Sequence, residues 1–171
     1  MSQIFNEDGT VVPVTVIEVE PNMVSMIRTK EKDGYEAVQV MNGSKRQESR
    51  IKSNEMKVGD KIDVSIFSEG DLVKVSGISK GKGFQGVVKR HGFRGMPFSH
   101  GHHHVLRHAG SIGQRFPQHT LRGMRMAGRM GGVRATTRGL KVIKVDVENN
   151  IIAVKGAIPG NKRGMVTIQT Q

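Results

Sequence analysis

β-branched and apolar residues gather toward the two ends of this chain and alternate there with polar ones. Residues 10–19 read TVVPVTVIEV, a composition suited to a pleated, half-buried surface. Pro13 removes one ladder donor, which predicts an edge strand or a strand that starts near an edge. Residues 23–28 and 35–41 (YEAVQVM) predict two more strands, with Lys32, Asp33 and Gly34 as the turn between them. Residues 44–57 are polar and charged and read as a surface loop, closed by a turn at Val58, Gly59 and Asp60. Period-two alternation returns at 61–67 (KIDVSIF) and 71–78 (DLVKVSGI). It returns again at 141–147 (KVIKVDV), where Glu148, Asn149 and Asn150 turn the chain into 151–155 (IIAVK), and residues 165–169 close it.

Between these ends the periodicity stops. Residues 79–139 hold no sustained period of either kind, and loops of such length are functional or disordered. No internal repeat is visible. The expected fold is therefore all-β, with a body formed by 1–78 and 140–171 and one irregular extension, 79–139, inserted in mid-chain. With about eight short strands, a small closed β-barrel is the natural way to remove exposed edges.

Charge sharpens this division. No Asp or Glu lies between Asp71 and Asp146, a run of 74 residues that holds 15 Lys and Arg, all 7 His and 14 of the 22 Gly. The remaining 97 residues carry 12 Lys and Arg against 15 acids, so the chain's net +12 comes wholly from its middle. A one-sign, glycine-rich stretch suits a polyanion that approaches the backbone closely, with nucleic acid as the leading candidate. Arginine outnumbers lysine within 79–139 and lysine outnumbers arginine elsewhere. The planar guanidinium pairs with phosphate at two points and stacks on bases, which favours structured RNA.

Composition removes other classes. Hydrophobic residues make up 36%, aromatics are six Phe and one Tyr, and there is no Cys, hence no disulfide framework or thiolate metal site. No apolar run approaches the ~20 residues of a membrane helix, and residues 1–9 lack signal-peptide regions. A soluble intracellular chain with no membrane partner is expected.

Three motifs carry candidate chemistry. Gly81, Gly83 and Gly86 form a GxGxxG after a strand, but a dinucleotide site needs a following helix and an acid about 20 residues on. VVKRHGFRGMP reads as non-helical and no acid appears before Asp146. These glycines fit a backbone packed closely on phosphate instead. The histidines of HGHHHVLRH (100–108) invite a metal reading, yet no carboxylate or thiolate lies near them, and no metal is expected. Arg122, Arg125, Arg129, Arg134 and Arg138 recur every three to five residues, but the glycines among them argue against a helix. Ser99 and Ser111 lie near histidines that no acid in the segment could orient, so no catalytic constellation, cofactor or small-molecule substrate is expected.

SKGKGFQG (79–86), running on into VVKR (87–90), resembles the bacterial type of the ribosomal protein L-three family of the large subunit. Residues 1–19 resemble that family's opening strand. GSIGQ (110–114), followed by basic sequence up to MAGRMG (126–131), is similar to its central extension, and VKGAIPG (154–160) to its closing strand and turn. The resemblance implies a translation-protein-like β-barrel on the ribosome surface. It implies an extension threaded through 23S-type ribosomal RNA toward the peptidyl-transferase centre, neighbouring large-subunit proteins as partners, a part in early subunit assembly and a place in the cytoplasmic ribosome. Gln114 stands where some bacterial members are methylated. The chain departs from the family pattern in lacking a Gly-Lys-Lys-Val-Gly-type start before Ser2, in a shorter 44–57 segment and in its histidine-rich stretch.

The expected RNA contacts are Lys80, Lys82, Gly83, Gly86, Lys89, Arg90, Arg94, His100, His102, Arg107, Gln114, Arg115, Arg122, Arg125, Arg129, Arg134 and Arg138. A histidine-rich metal-binding protein and a non-specific nucleic-acid-compacting protein are the alternatives.

Overall fold

The computed structural model describes residues 1–43, 45–50 and 56–170. In chain order the strands of the first half are β1 (Ser2–Phe5), β2 (Val11–Glu18), β3 (Asn22–Arg28), β4 (Ala37–Asn42), β5 (Lys45–Ser49), β6 (Lys61–Ile62) and β7 (Leu72–Ile78). The second half adds β8 (Phe84–Gln85), β9 (Gly128–Arg129), β10 (Arg134–Asp146), β11 (Ile151–Lys155) and β12 (Val166–Thr170). Two short helices, α1 (Lys30–Asp33) and α2 (Val87–His91), interrupt them. The all-β class holds. The chain divides into two compact units, one of Met1–Ser76, Thr136–Ile158 and Thr167–Gln171, the other of Gly77–Ala135 and Pro159–Val166.

The first unit is built on a six-stranded sheet of order β1-β2-β11-β10-β7-β12 and a four-stranded sheet of order β5-β4-β3-β6. Its core is aliphatic and small: Val14, Val73, Val75, Val142, Ile152 and Val154 are fully buried from the larger sheet, Val24 and Val38 from the smaller. Period-two patterning places these side chains on one face, as alternate Cβ atoms require. The one buried polar side chain among the described residues, Ser76, shares a 2.8 Å hydroxyl hydrogen bond with Thr136.

Both sheets are open in strand order, so no backbone ladder closes a barrel among the described residues. Side chains link two edge strands instead. Thr167 on β12 donates to Gln47 on β5 at 2.9 Å, and Gln169 donates to Ser49 at 3.0 Å.

Several local expectations change. β2 is not an edge strand, for β1 and β11 flank it. Pro13 is tolerated because the β2–β11 ladder begins only at Val14↔Lys155, and beyond it the Pro13 carbonyl accepts from Gly156 N at 2.8 Å. The strand expected over 61–67 stops at Ile62. A 3-10 turn at Val64–Ile66 then buries Val64 and leaves Ile66 half-exposed, although alternation had placed both on one face. The turn expected at 32–34 is the end of α1, capped by Gly34 at φ 77°. Part of the expected 44–57 loop is β5, paired with β4 from Val38↔Ser49 to Asn42↔Lys45. Ser44 and residues 51–55 of that loop lie outside the described residues. Ladder partners, not composition, make a charged KRQES segment a strand.

Candidate nucleic-acid interface

The acid-free part of the chain supplies most of the second unit, and its backbone is organised at the root. β8 and β9 pair through Phe84↔Arg129 and Gln85↔Gly128. Lys82 N donates to Met130 O and Met130 N to Gly83 O, both at 2.9 Å. Ser79 N donates to Val133 O at 2.9 Å and Gly132 N to Ser79 O at 3.1 Å, so residues 79–85 and 128–133 run as a pinned pair.

Glycines set how closely these segments meet. A Cβ on Gly131, at φ 74°, would overlap the Lys80 carbonyl, and one on Gly95, at φ 76°, the Leu106 carbonyl, where Met96 N also donates to Leu106 O at 2.9 Å. Sequence reasoning missed both, because their partners lie far along the chain. Gly83 and Gly86 differ from them. A Cβ at either would meet nothing within 4 Å, so both face open space. Gly83 still requires glycine for its φ of 66°, whereas Gly86 is extended and stands at the start of α2.

α2 corrects the expectation that residues 87–97 hold no helix. It is five residues long, buries Val87 and ends at Gly92 with φ 71°. It presents Lys89, Arg90 and His91 in its last turn, where cations suit the carbonyl end of a helix. Arg90 is not a free cation. Its Nη1 donates to Met126 O at 2.6 Å and lies 2.9 Å from where a Cβ on Gly128 would stand. His91 Nε2 lies 3.0 Å from the same carbonyl, and its ring is 6.1 Å from that of Phe93.

The other expected contacts divide by position. Lys80 and Lys82 are exposed beside the β8–β9 root, and Lys89 and Arg94 are exposed on and just after α2. Arg107, Arg115, Arg122 and Arg125 lie exposed in chain without strand or helix. Arg129 is in β9, its guanidinium against Gly132. Arg134 and Arg138 are exposed on β10, in regular strand where an irregular segment was expected. His100 is exposed at φ 62° and His102 is partly buried. Among the described residues no three His, Asp or Glu side chains gather as a metal site. Gln114 is fully in the exposed 110–127 run and lines a shallow groove with Ser111, Pro117, His119, Leu121 and Met124. Ser111 Oγ donates to Gly113 O at 2.7 Å and shapes the turn before it.

The charges of the two units are treated differently. Arg28 meets Asp33 at 2.6 Å and Glu48 at 3.4 Å, and these are the ion pairs among the described residues. The Asp33 hydrogen bond raises the Arg28 pKa, and the Glu48 hydrogen bond raises that of the Tyr35 hydroxyl. Exposed arginines on a glycine-cornered backbone, with no acid to neutralise them, are the equipment of a polyanion-binding structural protein.

The comparisons agree with that class. The profile of the family described as Ribosomal protein L3 matches residues 7–149. The large ribosomal subunit protein uL3 of Alkaliphilus metalliredigens is 42% identical over 195 residues, covering 99% of this chain and 92% of the relative. Those of Marinomonas sp. and Nocardia farcinica are each 45% identical, with 99% of this chain covered and 92% and 88% of theirs. The chain belongs to the ribosomal protein L3 family and is a structural constituent of the large ribosomal subunit, not an enzyme.

Proposed function

We propose that this chain binds large-subunit ribosomal RNA through residues 79–139, supports early subunit assembly, and carries Gln114 toward the peptidyl-transferase centre. One observation supports this above all: a 74-residue run of the sequence has 15 cations and no acid. Its arginines at 107, 115, 122 and 125 are exposed and make no side-chain hydrogen bond or ion pair within the chain among the described residues. Phosphate neutralisation by such groups releases condensed counterions, a large favourable term for RNA. The neutral, exposed Gln114 both donates and accepts, which suits base edges and 2′-hydroxyls and leaves its amide open to methylation.

In this reading 1–78 and 140–171 form the body and 79–139 the extension. Within that body, Thr167–Gln47 and Gln169–Ser49 join one pair of sheet edges that carry no backbone ladder. Neighbouring large-subunit proteins complete its surroundings in the cytoplasmic ribosome. Two measurements test the proposal. The chain is expected to co-sediment with large subunits after a high-salt wash. A photoreactive residue at position 114 is expected to crosslink to RNA near the catalytic centre, and crosslinks confined to solvent-side RNA would refute the placement.

A further inference from the structure

The chain's six phenylalanines are distributed unusually. None is in the buried core, which is made of Val, Ile and Ala. Four are exposed, and three of these, Phe84, Phe98 and Phe116, stand in the acid-free segment. Phe98 is the extreme, with 91% of its surface open. Scattered apolar side chains on a surface need no explanation, so exposure alone decides nothing. The way Phe98 is presented adds a second observation. Its loop is pinned at the base, where Met96 N donates to Leu106 O and Gly95 approaches the Leu106 carbonyl too closely for any side chain. Pro97 precedes it, and His100 and Gly101 follow at φ 62° and 81°. The backbone thus turns sharply just after a side chain that stands exposed to solvent.

Charge names the occupant. Arg94 and Arg107 flank the loop and no acid lies within the segment, which favours an anionic partner, and the exposed Phe98 ring favours one that also offers a flat apolar face. A nucleobase has such a face attached to a phosphate. Phe5 provides the contrast within the same molecule. It is 64% exposed, but its neighbours include Glu7, Asp8 and Glu69, which repel a phosphate backbone.

We propose that Phe98 is a base-stacking contact, its ring lying on an unpaired nucleobase of the RNA while Arg94 and Arg107 meet the flanking phosphates. The inference rests on the RNA-binding reading above and goes beyond it by naming a contact that is not electrostatic. Loss of one stacked base lowers affinity about 5- to 100-fold and leaves the number of released counterions unchanged.

The test uses the full chain and a full-length transcript of large-subunit ribosomal RNA, with dissociation constants measured across a salt series. Phe98→Ala is expected to bind about 5- to 100-fold more weakly with the wild-type salt slope. Phe98→Trp and Phe98→Tyr restore affinity and Phe98→Leu does not, because stacking needs a π face. Phe5→Ala leaves binding unchanged. Circular dichroism of each variant checks that the β body remains folded. Wild-type affinity in Phe98→Ala overturns the proposal. Full rescue by Phe98→Leu also overturns it and assigns the ring to an apolar pocket. A wild-type chain that binds with no salt slope overturns the RNA reading itself, an outcome distinct from failure at Phe98 alone.

Discussion

The two units of this protein use the same backbone chemistry and opposite side-chain strategies. In the first, one cation has acidic partners: Arg28 on the small sheet reaches Asp33 and Glu48, and Tyr35 and Gln39 also donate to Glu48. Every buried apolar side chain among the described residues except Val87 belongs to this unit, although Phe5, Val58 and Leu72 remain exposed on its surface. In the second, Phe84, Phe98, Phe116 and Val133 stand exposed, and the arginines have no acid to meet. The first unit is stabilised by what it contains. The second has almost no buried core and no acid to balance its cations, the condition under which a polyanion can supply the missing partner. Its burial is not uniform, however. The root at 79–85 and 128–133 is hydrogen-bonded, whereas 110–127 is exposed throughout.

The largest test of this contrast removes charge from the second unit alone. Replacing Arg107, Arg115, Arg122 and Arg125 by Gln is expected to weaken ribosomal RNA binding by about 100- to 1,000-fold at 0.1 M salt. The slope of log K against log salt should fall by about 3, from roughly −6 to −7 if about 8 cations meet phosphate. Unchanged denaturant unfolding in the same variant would show that the body does not depend on those charges. A slope that stays constant would mean that the arginines are solvated rather than bound.

The converse change is made in the core. Ile152, fully buried on β11, is expected to cost about 2–5 kcal/mol on Ile152→Ala, read by chemical denaturation. The salt slope of RNA binding should stay at its wild-type value under conditions where that variant is folded. A lost slope would break the separation of roles.

Two glycines sharpen the comparison within the second unit. Gly131→Ala introduces a Cβ into the Lys80 carbonyl at a left-handed φ, and should loosen the root by about 1–3 kcal/mol. Faster amide exchange at Lys82 and Met130 would report it. A Cβ at Gly86 meets nothing within 4 Å, so Gly86→Val should leave exchange at the root unaltered while weakening RNA binding, if RNA approaches the backbone there. Equal binding by Gly86→Val would refute the close approach. Gly83 is a poorer probe, since its φ alone makes a substitution strained.

The smallest effect is a titration. Asn149 donates from its side chain and its backbone to Asp146, which lowers that carboxyl's pKa. A depressed folded-state pKa contributes stability above the ordinary carboxylate pKa, and the contribution is lost as pH falls through the folded value. Proton-coupled NMR shifts of Asp146 should therefore show a midpoint below that of a free carboxylate. Asn149→Ala should move it upward, and no movement would place the cause elsewhere.

How much of this could be read from the chain depends on the distance over which each cause acts. Alternation at 71–78 and 151–155 is a property of neighbouring residues, and β7 and β11 appear there. The charge division is likewise a sum over residues and survives any fold, and the SKGKGFQG and VKGAIPG motifs are local strings that carry the family resemblance wherever the fold puts them. Tertiary structure decided what depends on a partner. KRQES becomes β5 because β4 lies beside it, and alternation over 61–67 gives way once Val64 has a core to enter. Pro13 sits in an interior strand because the ladder that would need its N–H starts one residue later. Arg90 is one cation among many in sequence, and only the fold brings the Met126 carbonyl to it from 36 residues away. Propensity and charge belong to residues and can be counted along a chain. Hydrogen-bond partners, burial and close backbone approach belong to pairs, and pairs distant in sequence are chosen by the fold as a whole.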